Sequence, residues 1–269
     1  MRPFETVFVL SGGGAKGAWQ IGVMQALGEA GVVPDAVFGT SVGARNVAGL
    51  CLNGIDDLTS LWESIDGSRD IQRCALWKNF WAKGVYHFGP LRKKLEQRLG
   101  PSPGTPSAFA VYIDINTNCL CTMSQHTAKD RAEYIDAILG SSSLGFFHEP
   151  IRDRWVDAGH KEAMPISSAK RNGAKKIIAI GTEPMTFKRD DFSLSWPYIV
   201  SSGMRTLGLM SREIYLNDIF QHKNDPDVTI ITPNAPLEIG GMEYNHDAIM
   251  KAIDMGREHG RRYAVNAMD

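Results

Sequence analysis

Apolar residues fall into short runs broken by glycine turns over the first part of the chain. Val7-Phe8-Val9-Leu10 has strand character, and Ser11-Gly12-Gly13-Gly14 ends it. From about Gly17 to Ala30 the pattern becomes helical, with Ile21, Met24 and Leu27 in a mixed, partly apolar periodicity. Ala36-Val37-Phe38 is a second strand-like run, closed by Gly39-Thr40-Ser41-Val42-Gly43, and Val42 to Leu52 reads as the next helix. Residues 55 to 67 place Leu58, Leu61, Trp62 and Ile65 on one helical face. Leu91 to Leu99 is a short basic helix, and 101–107 is a Pro- and Ser-rich loop. Ala108 to Asn116 and Cys119 to Ser124 predict a hairpin turning at Thr117-Asn118. Ala128 to Leu139 predicts a helix with Ala132, Ile135, Ile138 and Leu139 inward, and Met164 to Asn172 another that Gly173 ends. Lys176 to Gly181 is an apolar strand of the kind buried on both faces of a sheet.

Past this point the pattern is less regular. Ser193 to Phe220 predicts a broken helix starting near Pro197, with Leu207, Leu209, Met210, Ile214, Tyr215 and Ile219 as an apolar stripe. Val228 to Ile231 is a last strand, and Asn245-His246-Asp247 precedes a terminal helix to about Tyr263. Strands alternating with helices predict an α/β fold with a mainly parallel central sheet sandwiched by helices. Residues 1–269 are expected to form a single domain, with 68–107 as a cap or lipid-access insertion within it.

Composition narrows the function classes. The 29 basic and 30 acidic residues nearly balance, which gives no signal for nucleic acid. No apolar run approaches the length of a bilayer span, and the first is too short for a signal-peptide core. The expectation is a cytoplasmic protein that visits membrane surfaces peripherally. Cys51, Cys74, Cys119 and Cys121 make no metal pattern and read as buried free thiols. In the stretch Cys74 to Phe88, five aromatics interleave with Lys78 and Lys83. That composition suits a membrane interface or the mouth of a lipid pocket as well as ordinary core.

Two stretches carry candidate chemistry. The turn at Gly12, Gly13 and Gly14 precedes a helix N-terminus, where unpaired N–H groups and the dipole favour an anion. Gly12-x-Gly14-x-x-Gly17 formally matches a dinucleotide fingerprint, but Asp35 precedes the second strand instead of closing it. A P-loop reading fails because Gly17, not Ser or Thr, follows Lys16. Gly39-Thr40-Ser41-Val42-Gly43 is a G-x-S-x-G turn between strand and helix, a context that exposes a serine hydroxyl. By itself the turn is better explained by Gly39 and Gly43 shaping a turn with Ser41 capping the next helix. Paired with an upstream anion loop, it points to acyl transfer, which needs both a nucleophile and oxyanion donors. A base is also required. His160, His222, His246 and His259 sit in no distinctive stretch, whereas Asp157 closes the strand-like Trp155-Val156 run before Ala158-Gly159. On spacing alone Asp157 is as well explained as a turn-former.

These stretches together resemble the patatin-like phospholipase family. Gly12-Gly13-Gly14-Ala15-Lys16-Gly17 resembles its glycine loop, Gly39 to Gly43 its serine elbow, and Asp157-Ala158-Gly159 its aspartate block. The similarity spans roughly residues 5 to 182, and residues 183 to 269 carry no matching motif. The resemblance implies a three-layer α/β/α fold and hydrolysis of lipid acyl esters by a Ser–Asp dyad, of phospholipase A or lysophospholipase type, without cofactor or metal. Ser41 would be the nucleophile, Asp157 the general base, and the N–H groups of Gly13 and Gly14 the oxyanion hole. Gly12, Lys16, Gly17, Gly39, Gly43 and Gly159 would support them. Ala158 departs from the usual glycine, and Gly140 to Phe147 lacks a proline common in that segment. A small-ester or thioester hydrolase, or a silent lipid- or partner-binding relative, would share these motifs. The sequence leaves the oligomeric state open.

Overall fold

The computed structural model describes residues 3–74, 85–99, 106–145, 147–186 and 198–266. The chain runs β1 (Phe4–Leu10), α1 (Gly17–Glu29), β2 (Ala36–Thr40), α2 (Val42–Asn53) and α3 (Ile55–Glu63). A two-residue ladder of β3 (Arg73–Cys74) and β4 (Tyr86–His87) stands outside the main sheet, before α4 (Gly89–Arg98). Then come β5 (Ser107–Asp114), β6 (Cys119–Ser124), α5 (Arg131–Ser141), β7 (Trp155–Asp157), α6 (Ile166–Arg171) and β8 (Ala174–Ile180). The order ends with α7 (Tyr198–His222), β9 (Val228–Ile231) and α8 (His246–Asn266).

The main sheet has the order β6-β5-β2-β1-β8-β9. Its β5–β2, β2–β1, β1–β8 and β8–β9 pairs are parallel. β6 is antiparallel to β5, and β7 pairs antiparallel with Tyr112 to Asp114 of β5, beyond the residues that pair with β2. From β1 the chain first builds toward β2 and β5, then returns to add β8 and β9 on the other side of β1. The order therefore reverses at β1. In parallel α/β sheets the crevice at the carboxyl end of such a strand is where ligands sit.

The period-2 geometry of a strand explains why the apolar runs are continuous. Val7 and Val9 enter one core while Phe8 and Leu10 enter the other. Ile177 and Ala179 of β8 likewise oppose Ile178 and Ile180. One core lies under α1, α2, α3, α5 and α8 and includes Trp19, Leu27, Val47, Leu58, Ile138 and Ile253. The other lies under α6 and α7, where Phe38 stacks on Phe109 with ring centroids 4.3 Å apart. Each such fully buried side chain contributes about 1.5–3 kcal/mol relative to exposure. The result is the three-layer α/β arrangement that the family resemblance implies.

Several local expectations are corrected. Asp35 is structural: its Oδ2 accepts the N–H groups of Glu5 and Thr6, both at 2.9 Å. The helix expected over 55–67 stops at Glu63. α5 begins at Arg131, not Ala128, because Asp130 caps it by accepting from Glu133 N–H. Ala132 is consequently exposed, while Glu133 and Tyr134 turn inward. Of the cysteines only Cys51 is buried, and Cys74 and Cys119 are exposed, since they lie on a short ladder and on an edge strand. α7 is continuous over 198–222, with Tyr215 and Ile219 buried but Leu209 and Met210 exposed. Trp77, Lys78, Phe80, Trp81 and Lys83 of the aromatic stretch, the loop over 100–105, Phe146 and Pro197 lie outside the described residues.

Candidate active site

The glycine loop follows β1, and the serine turn follows β2, so the parallel β1–β2 pairing brings the two together at one end of the sheet. Ser41 is half-buried and holds φ 58°, ψ −122°. A non-glycine residue in such a conformation costs about 1–3 kcal/mol and persists only where its surroundings enforce it. They do so here by close backbone crossing. A Cβ on Gly43 would lie 2.2 Å from Leu10 O, and one on Gly39 would lie 2.3 Å from the carbonyl carbon of Gly43.

Three consecutive serines hold the turn from the other side. Ser41 N–H donates to Ser141 Oγ (3.0 Å), whose hydroxyl donates to Val111 O (2.6 Å). The Ser142 hydroxyl is shared between Ser41 O (3.2 Å) and Ile138 O (3.1 Å). Ser143 O accepts from Asp157 N–H (2.9 Å). The end of α5 thus ties Ser41 and Asp157 into one frame. Nothing in the sequence pattern singled out these serines, although they fall in the segment where the family resemblance lacked its proline.

Asp157 ends β7 and is buried. Its Oδ1 accepts from Gly159 N–H at 2.7 Å. Burial pushes its carboxyl above the usual range, while the Gly159 N–H and the nearby Ser41 hydroxyl pull it back. Oδ2 nevertheless has no partner of full hydrogen-bond geometry. The Ser41–Asp157 contact is therefore loose. Ala158 starts a short 3-10 turn and does not take a positive φ, so the glycine usual there is not needed.

The glycine loop is pinned along most of its length. Ser11 N–H donates to Ile180 O (3.2 Å), Gly12 N–H to Ala163 O (3.0 Å) and Ala15 N–H to Gly241 O (2.8 Å). The Thr182 hydroxyl donates to Gly12 O (2.6 Å). Among the described residues, nothing accepts the N–H groups of Gly13 and Gly14. Gly13 and Gly14 take φ +149° and +60°, and a Cβ there would strike Thr182 Oγ1 and Gly241 O. Lys16 pairs with Glu183, which also stands 3.9 Å from Arg212. A cavity of about 310 Å³ opens over Ser41, Asp157 and the loop, with Phe88, Leu144 and Tyr244 among its apolar lining.

Arg45 and His148 are among the cavity residues that sequence reasoning missed. Arg45 lies four positions after Ser41, hence on the same face of α2. His148 is buried, stacks on Phe88 with centroids 4.1 Å apart, and bonds Gln72 Oε1 through Nε2 at 2.7 Å. Burial and the Arg45 charge push it down to about 4, so it is neutral near pH 7. The four histidines weighed from the sequence do not line the cavity. Among the described residues no cluster of three or more potential metal ligands occurs, and no helix is long and apolar enough to cross a membrane.

A family model described as patatin-like phospholipase matches residues 8–170. The chain belongs to the patatin-like phospholipase family. This is a family of ester hydrolases, and the match covers the glycine loop, the serine turn and Asp157. Across 98% of its length the chain is 24% identical to the uncharacterized protein YjjU of Escherichia coli K12, covering 79% of that protein. Over 70% of its length it is 26% identical to Lysophospholipase NTE1 of Yarrowia lipolytica, of which it spans only 14%. Its fold is also similar to the crystal structure of VipD from Legionella pneumophila, with a TM-score of 0.45 and 13% identity over 98% of this chain and 67% of that one.

Proposed function

We propose that this patatin-like domain is a serine acyl hydrolase of phospholipase A or lysophospholipase type, acting through a Ser41–Asp157 dyad. The observation that carries the proposal is the convergence of three features on one cavity: a strained, half-buried serine, a buried carboxylate, and two main-chain N–H groups without acceptors among the described residues. Asp157 takes the Ser41 proton as Oγ attacks an ester carbonyl. Gly13 and Gly14 N–H groups receive the oxyanion, and the loss of one such donor typically costs about 3 kcal/mol. Collapse of the tetrahedral intermediate expels the alcohol, which takes the proton back from Asp157. Water then repeats the sequence on the acyl-enzyme.

Lipid is the substrate class that the lining supports. Exposed Leu209 and Met210 adjoin Gly208 and Ser211, which line the cavity, and half-exposed Met242 lines it too. An apolar rim of this kind suits peripheral contact with a lipid surface. The deciding experiment is fluorophosphonate labelling of wild type, Ser41→Ala and Asp157→Asn. Labelling is expected in wild type, absent in the first variant and at least tenfold slower in the second. Undiminished labelling of a folded Ser41→Ala protein would overturn the assignment.

A further inference from the structure

Arg45 carries its charge into the cavity. Its one side-chain hydrogen bond among the described residues is to Tyr244 Oη, 3.5 Å from Nη1, and its Nε is buried without a partner there. No carboxylate stands within ion-pair distance of it among the described residues, although its charge reaches both His148 and Asp157. A partly desolvated guanidinium without a counter-charge is costly, and a bound anion removes that cost through strong charge-assisted bonds. The rise from Ser41 to Arg45 along a helix is about 6 Å, close to the span between an ester and a neighbouring charged group in one small molecule.

His148 supplies the complementary half. With Nε2 donating to Gln72 Oε1, its Nδ1 carries a lone pair, and that atom is also buried without a partner. A neutral imidazole acceptor beside a guanidinium suits a ligand that bears an anion and a hydroxyl together. Gln72, Phe88 and Tyr244 complete the surround, and at about 310 Å³ the cavity lies near the lower end of small-ligand pockets. We infer that Arg45 and His148 form a head-group subsite that takes the phosphate and free hydroxyl of a monoacyl glycerophospholipid while its ester lies over Ser41. This assignment rests on the reading of Ser41 as nucleophile.

The first arm of the test does not depend on that reading. Dodecyl phosphate, laurate and dodecanol are titrated by calorimetry into Ser41→Ala protein and into the Ser41→Ala/Arg45→Gln double variant. Dodecyl phosphate is expected to bind the single variant at least tenfold tighter than dodecanol and to lose that advantage in the double variant. Arg45→Lys in place of Arg45→Gln should restore part of it. Equal affinity for dodecyl phosphate and dodecanol, or an equal Arg45-dependence of laurate, would overturn the head-group assignment. In the second arm, the kcat/KM ratio for monoacyl glycerophosphate over monoacylglycerol of the same chain is compared between wild type and Arg45→Gln. The ratio should collapse toward one, mainly through KM. An unchanged ratio overturns the inference even if Ser41 labels normally, whereas failed labelling with intact phosphate binding would overturn only the dyad.

Discussion

Ser41 N–H donates to the Ser141 hydroxyl at 3.0 Å, and Ser141 passes its own hydrogen to Val111 O at 2.6 Å. Ser141 is fully buried, so no water replaces it when it is removed. Ser141→Ala should cost about 1–3 kcal/mol, the penalty for leaving a buried donor and acceptor unpaired. It should also lower kcat more than it changes KM, because the turn that aims Ser41 loses a support while the cavity wall stays. Urea denaturation and steady-state hydrolysis of a nitrophenyl ester measure the two effects separately. A stable variant with wild-type kcat would mean that the strained turn holds without this bond.

Gly13 is the position where the loop is least able to change. Its φ of +149° disfavours any side chain, and a Cβ would sit 2.3 Å from Thr182 Oγ1, the atom that holds Gly12 O. Gly13→Ala should therefore displace the loop and cut turnover by 100-fold or more, the scale of a lost oxyanion donor. Thr182→Ala alone is milder, since it removes the hydroxyl's bonds to Gly12 O and Ser11 Oγ but introduces no clash. Comparing labelling rates of the two variants tests this ordering, and near-wild-type labelling of Gly13→Ala would exclude its N–H from the oxyanion site.

Much of this arrangement was legible in the sequence because it is local. The run Val7 to Leu10 followed by three glycines, and Ala36 to Phe38 followed by Gly39 to Gly43, each specify a strand, a turn and a helix within a few residues. The parallel β1–β2 pairing then brings the two turns together. Long-range partners left no such mark. Ser141, Thr182 and His148 reach the site from elements distant in the chain, and their residue types are ordinary. Local propensity also misled where tertiary context overrode it: Leu209 and Met210 extend an apolar stripe on paper yet lie exposed on α7.

Asp157 links activity to stability in opposite senses. Burial raises its carboxyl, so the fold favours the protonated form. The stability contribution of a raised carboxyl is complete below the ordinary Asp range and is lost as pH rises through the shifted value. The ionised form that the proposed dyad uses for turnover is thus a destabilising group at neutral pH. Asp157→Asn keeps an oxygen for the Gly159 N–H and removes the charge. Turnover should fall at least 100-fold while Tm stays level or rises, by about 2–4 °C per kcal/mol gained. In wild type, turnover should decline on acidification through a single carboxylate step. A lower Tm in a folded Asp157→Asn protein would show that the charge is stabilised in place.

Asp218 on α7 supports the segment behind the site. Its Oδ2 accepts from Met164 N–H at 2.9 Å, and the neighbouring Ala163 O accepts from Gly12 N–H at 3.0 Å. Burial, opposed by the main-chain N–H groups of Met164 and Ala163 and reinforced by nearby Glu162, leaves the carboxyl pushed up to about 7. Glu162 is itself engaged, accepting from Ser168 N–H at 2.8 Å and pairing with Arg171 at 3.4 Å. As the folded value lies above the ordinary one, stability from Asp218 is full near pH 4 and is lost as pH rises through about 7. Wild-type Tm should therefore fall between about pH 4 and 7 and level off above that, by about 2–4 °C for each kcal/mol lost. Asp218→Asn cannot ionise and should flatten that slope. Thermal melts of both proteins across this range decide the matter: parallel slopes would assign the pH dependence to other groups, and a flattened slope places the titration beneath the loop that carries Gly12.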